Sequence, residues 1–269
     1  MLLSTTSTSR RPDFRAPLAA LAALLLVASG PIRPVEAKTA EELLAEGDQQ
    51  YAAAHLPEAR SAYAAALQEA PGSYAALCRL SRAESELGEL QKGDEQRATR
   101  AASVEHARAA IKAAPDSAGG HVWLAVALGR QALSEGPKTR LALSREIKSE
   151  VDRALQLDPN VGRAWHVLAM WNLKIAGLSA IERMAANLVL GGVPKGASFE
   201  QAEQDFQKAI ALEPDYVNHR LEYGRLLKDR GRKADAKREL EKAVSLPPTS
   251  SALDARYQAE ARELLAKLR

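Results

Sequence analysis

The chain has 269 residues, a hydrophobic fraction of 46% and an aromatic fraction of only 4%, so its apolar residues are mostly alanine and leucine, which favour helices. An all-β fold is disfavoured because strands use more β-branched and aromatic residues than this composition provides. A charged fraction of 26% argues against a polytopic membrane protein. The formal net charge is only +3. The basic residues do not cluster as nucleic-acid binding requires, so we predict no nucleic-acid partner.

Residues 1–37 have the pattern of a secretory signal peptide. Arginines precede an apolar run at 18–28, which is too short to span a bilayer comfortably. Val35 and Ala37 supply the small residues of a cleavage site. We therefore predict an exported protein, periplasmic or secreted, that is cleaved after Ala37. The alternative is an uncleaved anchor formed by residues 17–32.

A short phrase recurs along the rest of the chain: an alanine, then Leu, Ile or Val, and a proline five residues after the alanine. The alanines are Ala66, Ala110, Ala154, Ala209 and Ala243. They are separated by 44, 44, 55 and 34 residues, which fits a 34-residue unit with insertions in three copies. This is the period of the tetratricopeptide repeat.

Other positions of the unit agree with this period. The eighth residue of each copy is small, namely Gly47, Ser81, Ala125, Ala169 and Gly224. Two helices pack closely only where small residues face their crossing point, and the proline ends the second helix. The spacing predicts an all-α protein in which residues 38–250 form a TPR-like, right-handed α-solenoid of about five helix pairs.

The insertions are predicted near 88–102, 131–143 and 175–199. The first is charged and either extends helices or forms a loop, and the second contains a Gly-Pro turn at 136–137. The third holds an amphipathic helix whose apolar residues are Leu178, Ile181, Met184, Ala185, Leu188 and Val189. We expect this helix to pack against the solenoid. The alternatives are a lid over the groove, or a helix that docks on a membrane surface or a partner.

Residues 251–269 are predicted to form a capping helix. Its apolar residues lie at helical spacing and are Leu253, Tyr257, Ala261, Leu264, Leu265 and Leu268. A solenoid needs such a cap because its last repeat has no neighbour to cover its apolar face.

Residues 118–268 resemble the regulator of microtubule dynamics family. The resemblance rests on the run from Trp165 to Arg183, which contains Ala-Gly-Leu-Ser-x-x-Glu-Arg, and on Gly-Gly-Val-Pro at 191–194, Ala-Ser-Phe-Glu-Gln-Ala at 197–202 and Ser-Leu-Pro-Pro at 245–248. Met170 stands where the family has Arg. The resemblance implies an α-solenoid adaptor, and eukaryotic members are associated with microtubules and organelle membranes.

No catalytic motif is present: Gly-x-Ser-x-Gly and His-Glu-x-x-His are absent, and the glycines near 191–196 lack the lysine of a phosphate-binding loop. The histidines form no i, i+4 ligand pair, although His121 and His166 are expected to approach each other on neighbouring repeats. The single cysteine, Cys78, is interpreted as a small buried thiol. We predict that the chain is not an enzyme and uses no metal or other cofactor.

In tetratricopeptide repeats, positions 2, 5, 9 and 12 of each first helix line the groove, and here these positions predict a modestly basic partner-binding groove. It comprises Arg82, Arg163, His166, Asn218, Arg225 and Lys228, with Trp171 as an exposed groove aromatic. These cations suit the carboxylates of a protein or peptide partner, although ordinary solvated surface charge explains them equally well. The leading hypothesis is therefore a scaffold that holds a partner in its concave groove. Two alternatives are a solenoid whose 175–199 insertion lines an apolar lipid cavity, and a membrane-anchored microtubule or organelle adaptor.

Overall fold

The computed structural model describes residues 38–189, 192–248 and 251–268, and the predicted signal segment at 1–37 lies outside these residues. All regular elements in the described ranges are α-helices. In chain order they are α1 (Ala40–Ala52), α2 (Leu56–Glu69), α3 (Tyr74–Leu87), α4 (Gly93–Ala113), α5 (Ala118–Ala132), α6 (Pro137–Leu157), α7 (Gly162–Ala176), α8 (Ala180–Val189), α9 (Phe199–Leu212), α10 (Val217–Asp229), α11 (Lys233–Ser245) and α12 (Asp254–Ala266).

The helices pack as five pairs in series, which confirms the predicted α-solenoid. The pairs are α1/α2, α3/α4, α5/α6, α7/α9 and α10/α11, with α8 inserted inside the fourth pair. The first helices of neighbouring pairs also touch, since α5 contacts both α3 and α7. We call the face formed by α1, α3, α5, α7 and α10 the inner face.

The repeat positions identified in the sequence form the core. The alanines of the recurring phrase, Ala66, Ala110, Ala154, Ala209 and Ala243, are each 0% exposed. The residues three positions before them are also buried, and these are Tyr63, Ala107, Val151, Phe206 and Leu240.

Small residues allow the two helices of a pair to cross closely. A Cβ built on Gly47 would lie 2.3 Å from a ring atom of Tyr63, and one on Gly224 would lie 2.7 Å from Leu240.

The first two insertions lengthen helices rather than adding separate elements. The second helices of the second and third pairs, α4 and α6, each have 21 residues, whereas α2 has 14. The predicted turn at 136–137 marks the start of α6, where Gly136 is the N-cap and Pro137 lies in the first turn. Proline is tolerated there because its missing N–H would have no partner within the helix.

The third insertion forms α8, but its apolar stripe faces away from the solenoid. Ile181, Met184 and Leu188 are 75%, 58% and 78% exposed, whereas Ala186 is buried. The expected contact of this helix with the solenoid is therefore made through Arg183 and through Leu178, which packs on the core, rather than through Ile181, Met184 and Leu188. The alternative that the insertion lines an apolar lipid cavity stays a prediction. Arg183 fixes the opposite face, because its guanidinium donates to the carbonyl oxygens of residues at the end of α7. In the described part of the chain, no helix has the length and apolar character needed to cross a membrane.

Helix α12 covers the last pair, as predicted. Its Tyr257 and Ala261 pack in one apolar cluster with Val217 and Leu221 of α10 and with Leu240 of α11. The residues that precede and begin α12 also reach the second pair, where Ser251 is hydrogen-bonded to Glu86. The cap therefore lies partly on the inner face.

Replacing Gly47 with Ala tests the close crossing of α1 and α2. Tyr63 cannot move aside, because its ring is 0% exposed and its hydroxyl is bound by Asp48 at 2.7 Å. We expect Gly47→Ala to lower the free energy of unfolding by about 1–3 kcal/mol, as overpacking does. Gly129→Ala is the matched control, since a Cβ there meets nothing within 4 Å, and it should stabilise α5 by about 0.5–1 kcal/mol. Urea denaturation measures both, and equal effects would refute the assigned crossing.

Candidate binding site on the inner face

A pocket of about 460 Å³ lies on the inner face where the first three pairs meet. Residues from α1, α3 and α5 line it, and they are Asp48, Tyr51, Ala52, Cys78, Arg79, Arg82 and Trp123. The helices present these side chains together because the first helices of successive repeats lie side by side. The pocket thus combines aromatic walls with a small set of charged groups, which is the usual composition of a ligand site.

Asp48 organises the charges of the pocket. Its carboxylate accepts hydrogen bonds from Arg79 Nε at 2.8 Å, Arg79 Nη2 at 3.0 Å and the Tyr63 hydroxyl at 2.7 Å. Burial works to raise the pKa of Asp48, but these hydrogen bonds outweigh it and hold the pKa below its usual value. Asp48 therefore stays ionised near neutral pH, and its charge is largely neutralised by Arg79.

Arg82 is the cation in the pocket with donor capacity left over. Its guanidinium lies 3.7 Å from the centre of the Tyr51 ring and 3.7 Å from Asp48 Oδ1, and its side chain is 23% exposed. Within the described ranges, the buried Nε of Arg82 has no hydrogen-bond partner. The Nε atom is out of reach of a ligand, but the partly exposed guanidinium group can donate to an acceptor that a ligand brings.

Cys78, also in this pocket, is not activated as a nucleophile. It is half-buried, and burial raises the pKa of its thiol. The thiolate is the reactive form of cysteine, so Cys78 stays protonated near neutral pH.

Arg163, on α7, borders this pocket through Trp123. Its guanidinium lies 5.5 Å from the Trp123 ring centre and 4.5 Å from that of Tyr216. Glu213, at the end of α9, accepts from the Arg163 backbone N–H at 2.9 Å and from its Nε at 3.3 Å. Arg163 is thus already engaged, and Glu213 also caps the N-terminus of α7.

His166 pairs with His219, and His121 pairs with Glu150. The Nδ1 atoms of His166 and His219 are 3.0 Å apart, whereas His121 Nδ1 lies 2.6 Å from Glu150 Oε2. Burial, followed by the positive charges of neighbouring arginines, lowers the pKa of His166 to about 3. Burial likewise lowers the pKa of His219 well below its usual value. The described residues contain no group of three or more His, Cys, Asp or Glu side chains placed to hold a metal ion.

The prediction that Trp171 is an exposed groove aromatic is wrong. Trp171 is 5% exposed and belongs to the apolar cluster between the third and fourth pairs. Its Nε1 donates to the carbonyl oxygen of Ser144 in α6 at 2.8 Å. Helix α6 is long enough to meet this side of α7, so Trp171 faces the core. The aromatic residues in the pocket are Tyr51 and Trp123.

The remaining predicted residues lie on α10, apart from this pocket. Arg225 is bound by Glu222 at 3.3 Å and by Glu260 of α12 at 3.1 Å, and Lys228 pairs with its neighbour Asp229 at 2.5 Å. Asn218 is half-buried. The structure does not bring these residues together with Arg82, because α10 belongs to the fifth pair and Arg82 lies on α3 of the second.

Sequence reasoning missed most of the pocket, although the positional rule pointed to it. Asp48 and Tyr51 occupy positions 9 and 12 of the first unit, and Cys78 occupies position 5 of the second. These are groove-lining positions, but the predicted groove took mainly the positively charged residues at such positions and so left out Asp48, Tyr51 and Cys78.

Helix pairs stacked in series, with a ligand-sized pocket on the face of their first helices, define a tetratricopeptide-type repeat scaffold. A thermophilic TPR protein from Thermus thermophilus has a similar solved structure, with a TM-score of 0.61. The match covers 82% of this chain and 98% of that chain at 20% identity, so the likeness concerns the fold alone.

The family model described as Regulator of microtubule dynamics protein 1-3 matches residues 38–269, and the chain therefore belongs to this family. Regulator of microtubule dynamics protein 3 from Rattus norvegicus is 30% identical over 190 residues, which are 70% of this chain and 40% of that protein. Regulator of microtubule dynamics protein 1 from Caenorhabditis elegans is 29% identical over 191 residues, or 71% of this chain and 84% of that protein. The match to the rat protein thus spans less than half of that relative.

Lowering the pH should destabilise the protein through the His166–His219 pair. In the unfolded chain both histidines bind protons below about pH 6.5, whereas in the folded protein their pKa values are depressed. The unfolded state therefore binds more protons, and the free energy of unfolding falls as the pH drops from about 6.5 towards 3. Each histidine contributes at most about 1.4 kcal/mol per pH unit.

Urea denaturation at pH 7 and pH 5 measures this slope. His219→Asn should reduce it, whereas His55→Gln, at an exposed position, should leave it unchanged. Identical slopes in wild type and His219→Asn would contradict the assignment.

Proposed function

We propose that the chain is a non-enzymatic scaffold that binds an extended segment of a protein or peptide partner in the pocket formed by α1, α3 and α5. The observation that carries the proposal is Arg82, a partly exposed guanidinium in that pocket that lies 3.7 Å from the centre of the Tyr51 ring and 3.7 Å from Asp48 Oδ1. Family membership and the repeat fold support the scaffold role.

The pocket suits a segment with a carboxylate next to an apolar side chain. Arg79 binds Asp48 closely, at 2.8 Å, whereas Arg82 contacts Asp48 and the Tyr63 hydroxyl only at 3.7 and 3.5 Å. Arg82 is therefore the more weakly engaged of the two guanidinium groups and the better one to meet a ligand carboxylate. Tyr51 and Trp123 supply aromatic surface for a neighbouring apolar side chain.

The titratable groups of the pocket do not favour catalysis. A general base works best with a pKa near the operating pH, but Asp48 is held ionised by Arg79 and Tyr63 with its pKa lowered. A cysteine nucleophile needs a lowered pKa, and that of Cys78 is raised.

Arg82→Gln tests the site. Peptides selected from a displayed library on the wild-type chain should bind the variant about tenfold to a hundredfold more weakly, because a charge-assisted hydrogen bond is lost. Fluorescence anisotropy measures the affinities, and thermal melting verifies that the variant is folded. Arg97→Gln is the matched control, since Arg97 lies on α4 and its side chain is 66% exposed. Equal binding to wild type and Arg82→Gln would reject the pocket as the binding site.

We also propose that residues 1–37 act as an export signal that is cleaved after Ala37. The arginines before the apolar run at 18–28 and the small residues Val35 and Ala37 support this. The intact mass of the protein, expressed in a bacterium and recovered from the periplasm or medium, should correspond to a chain that begins at Lys38. A membrane-bound product that retains residues 17–32 would instead support an anchored adaptor and would count against cleavage.

A further inference from the structure

The residues at the start of the C-terminal cap, 251–257, dock on the inner face of the second and third pairs. Three hydrogen bonds hold them there. Ser251 Oγ donates to Glu86 Oε1 on α3 at 3.0 Å, and Arg256 Nη1 donates to the carbonyl oxygen of Glu89, just after α3, at 2.6 Å. From α5, Arg130 Nη2 donates to the Tyr257 hydroxyl at 3.3 Å. Ser251 and Glu86 are 165 residues apart in the sequence. We call residues 251–257 the docked segment.

Parts of the docked segment are buried, whereas Ala255 and Arg256 are exposed. Ser251 and Tyr257 are 5% and 8% exposed, and Glu86 beneath them is 2% exposed. Ala252 packs against the apolar cluster formed by the first two pairs. The contact therefore resembles a peptide complex, with buried polar anchors at Ser251 and Tyr257, an exposed one at Arg256, and Ala252 packed between them.

The surface under the docked segment has a distinct recognition chemistry. Glu86 is a buried carboxylate that already accepts from the Tyr51 hydroxyl at 2.7 Å, and its Oε2 has no hydrogen-bond partner in the described part of the chain. Beside it, Arg130 lies 3.3 Å from Glu89 Oε1. The surface thus offers a carboxylate and a backbone carbonyl to donors and a guanidinium to an acceptor.

We infer that this surface is a peptide-binding site that the chain's own docked segment occupies, and that a partner segment of the same chemistry binds there by displacing it. Such a segment presents a hydroxyl to Glu86 and, five and six residues later, an arginine to the Glu89 carbonyl and a phenol to Arg130. This surface adjoins the pocket that contains Arg82, because Tyr51 lines that pocket and also donates to Glu86. Glu86, Glu89 and Arg130 do not line that pocket. Self-occupation reduces the apparent affinity for a partner by the fraction of molecules in which the surface is open.

A synthetic peptide with the sequence of residues 251–268 is the probe, and fluorescence anisotropy on the full chain is the measurement. The variant Ser251→Ala/Arg256→Ala/Tyr257→Phe removes the three hydrogen bonds while retaining the apolar residues that pack α12 on α10 and α11. We expect this variant to bind the labelled peptide about tenfold or more tightly than the wild type, because its surface is open more often. Arg262→Ala, at an exposed position of the same helix, should bind it as the wild type does.

A second substitution identifies the surface. Adding Glu86→Ala to the triple variant should abolish the gain, because the peptide's serine then loses its acceptor. If thermal melting shows that the triple variant is unfolded, Tyr257→Phe alone should give a smaller gain in the same direction. Equal affinity in wild type and variant, or no binding by either, would overturn the inference. Retained binding after Glu86→Ala would overturn the assigned surface.

Discussion

The close crossing of the two helices in each pair is the constraint on which the rest of the structure depends. At each crossing a small residue of the first helix packs directly against a larger side chain of the second. Gly47 packs against Tyr63 in this way, and Gly224 packs against Leu240. Each pair is then thin enough to stack on the next. Stacking aligns the first helices, and their alignment creates the inner face with its pocket.

The core could be predicted from the sequence because its determinants are local and periodic. The alanine of the recurring phrase, such as Ala154, and the small residue at the eighth position recur with the geometry of the helix pair, and in every copy both are buried. The facing of α8 could not be predicted in this way. Periodicity identifies its apolar stripe, but which side meets the solenoid depends on where Arg183 binds at the end of α7. Trp171 was misassigned for a similar reason, since it faces the unusually long α6.

The candidate site was predictable only in part. The positional rule of the repeat correctly placed Arg82 in the pocket and also covered Asp48 and Tyr51, whose importance is clear only from their contacts with Arg79 and Glu86. Arg225 obeys the same rule, yet Glu260 of α12 engages it. A rule derived from isolated repeats contains no information about a cap that returns over the inner face.

The hydrogen bond between Ser251 and Glu86 affects the order in which the repeats can fold. An open repeat array depends on nearest-neighbour contacts and folds progressively from any point. Here the second repeat is completed by a residue 165 positions further along the chain, so folding that proceeds from the N-terminus cannot complete that repeat until Ser251 has been synthesised. Because this hydrogen bond joins residues far apart in the sequence, it raises the contact order above that of a simple repeat array. A higher contact order favours slower, more concerted folding of the repeats.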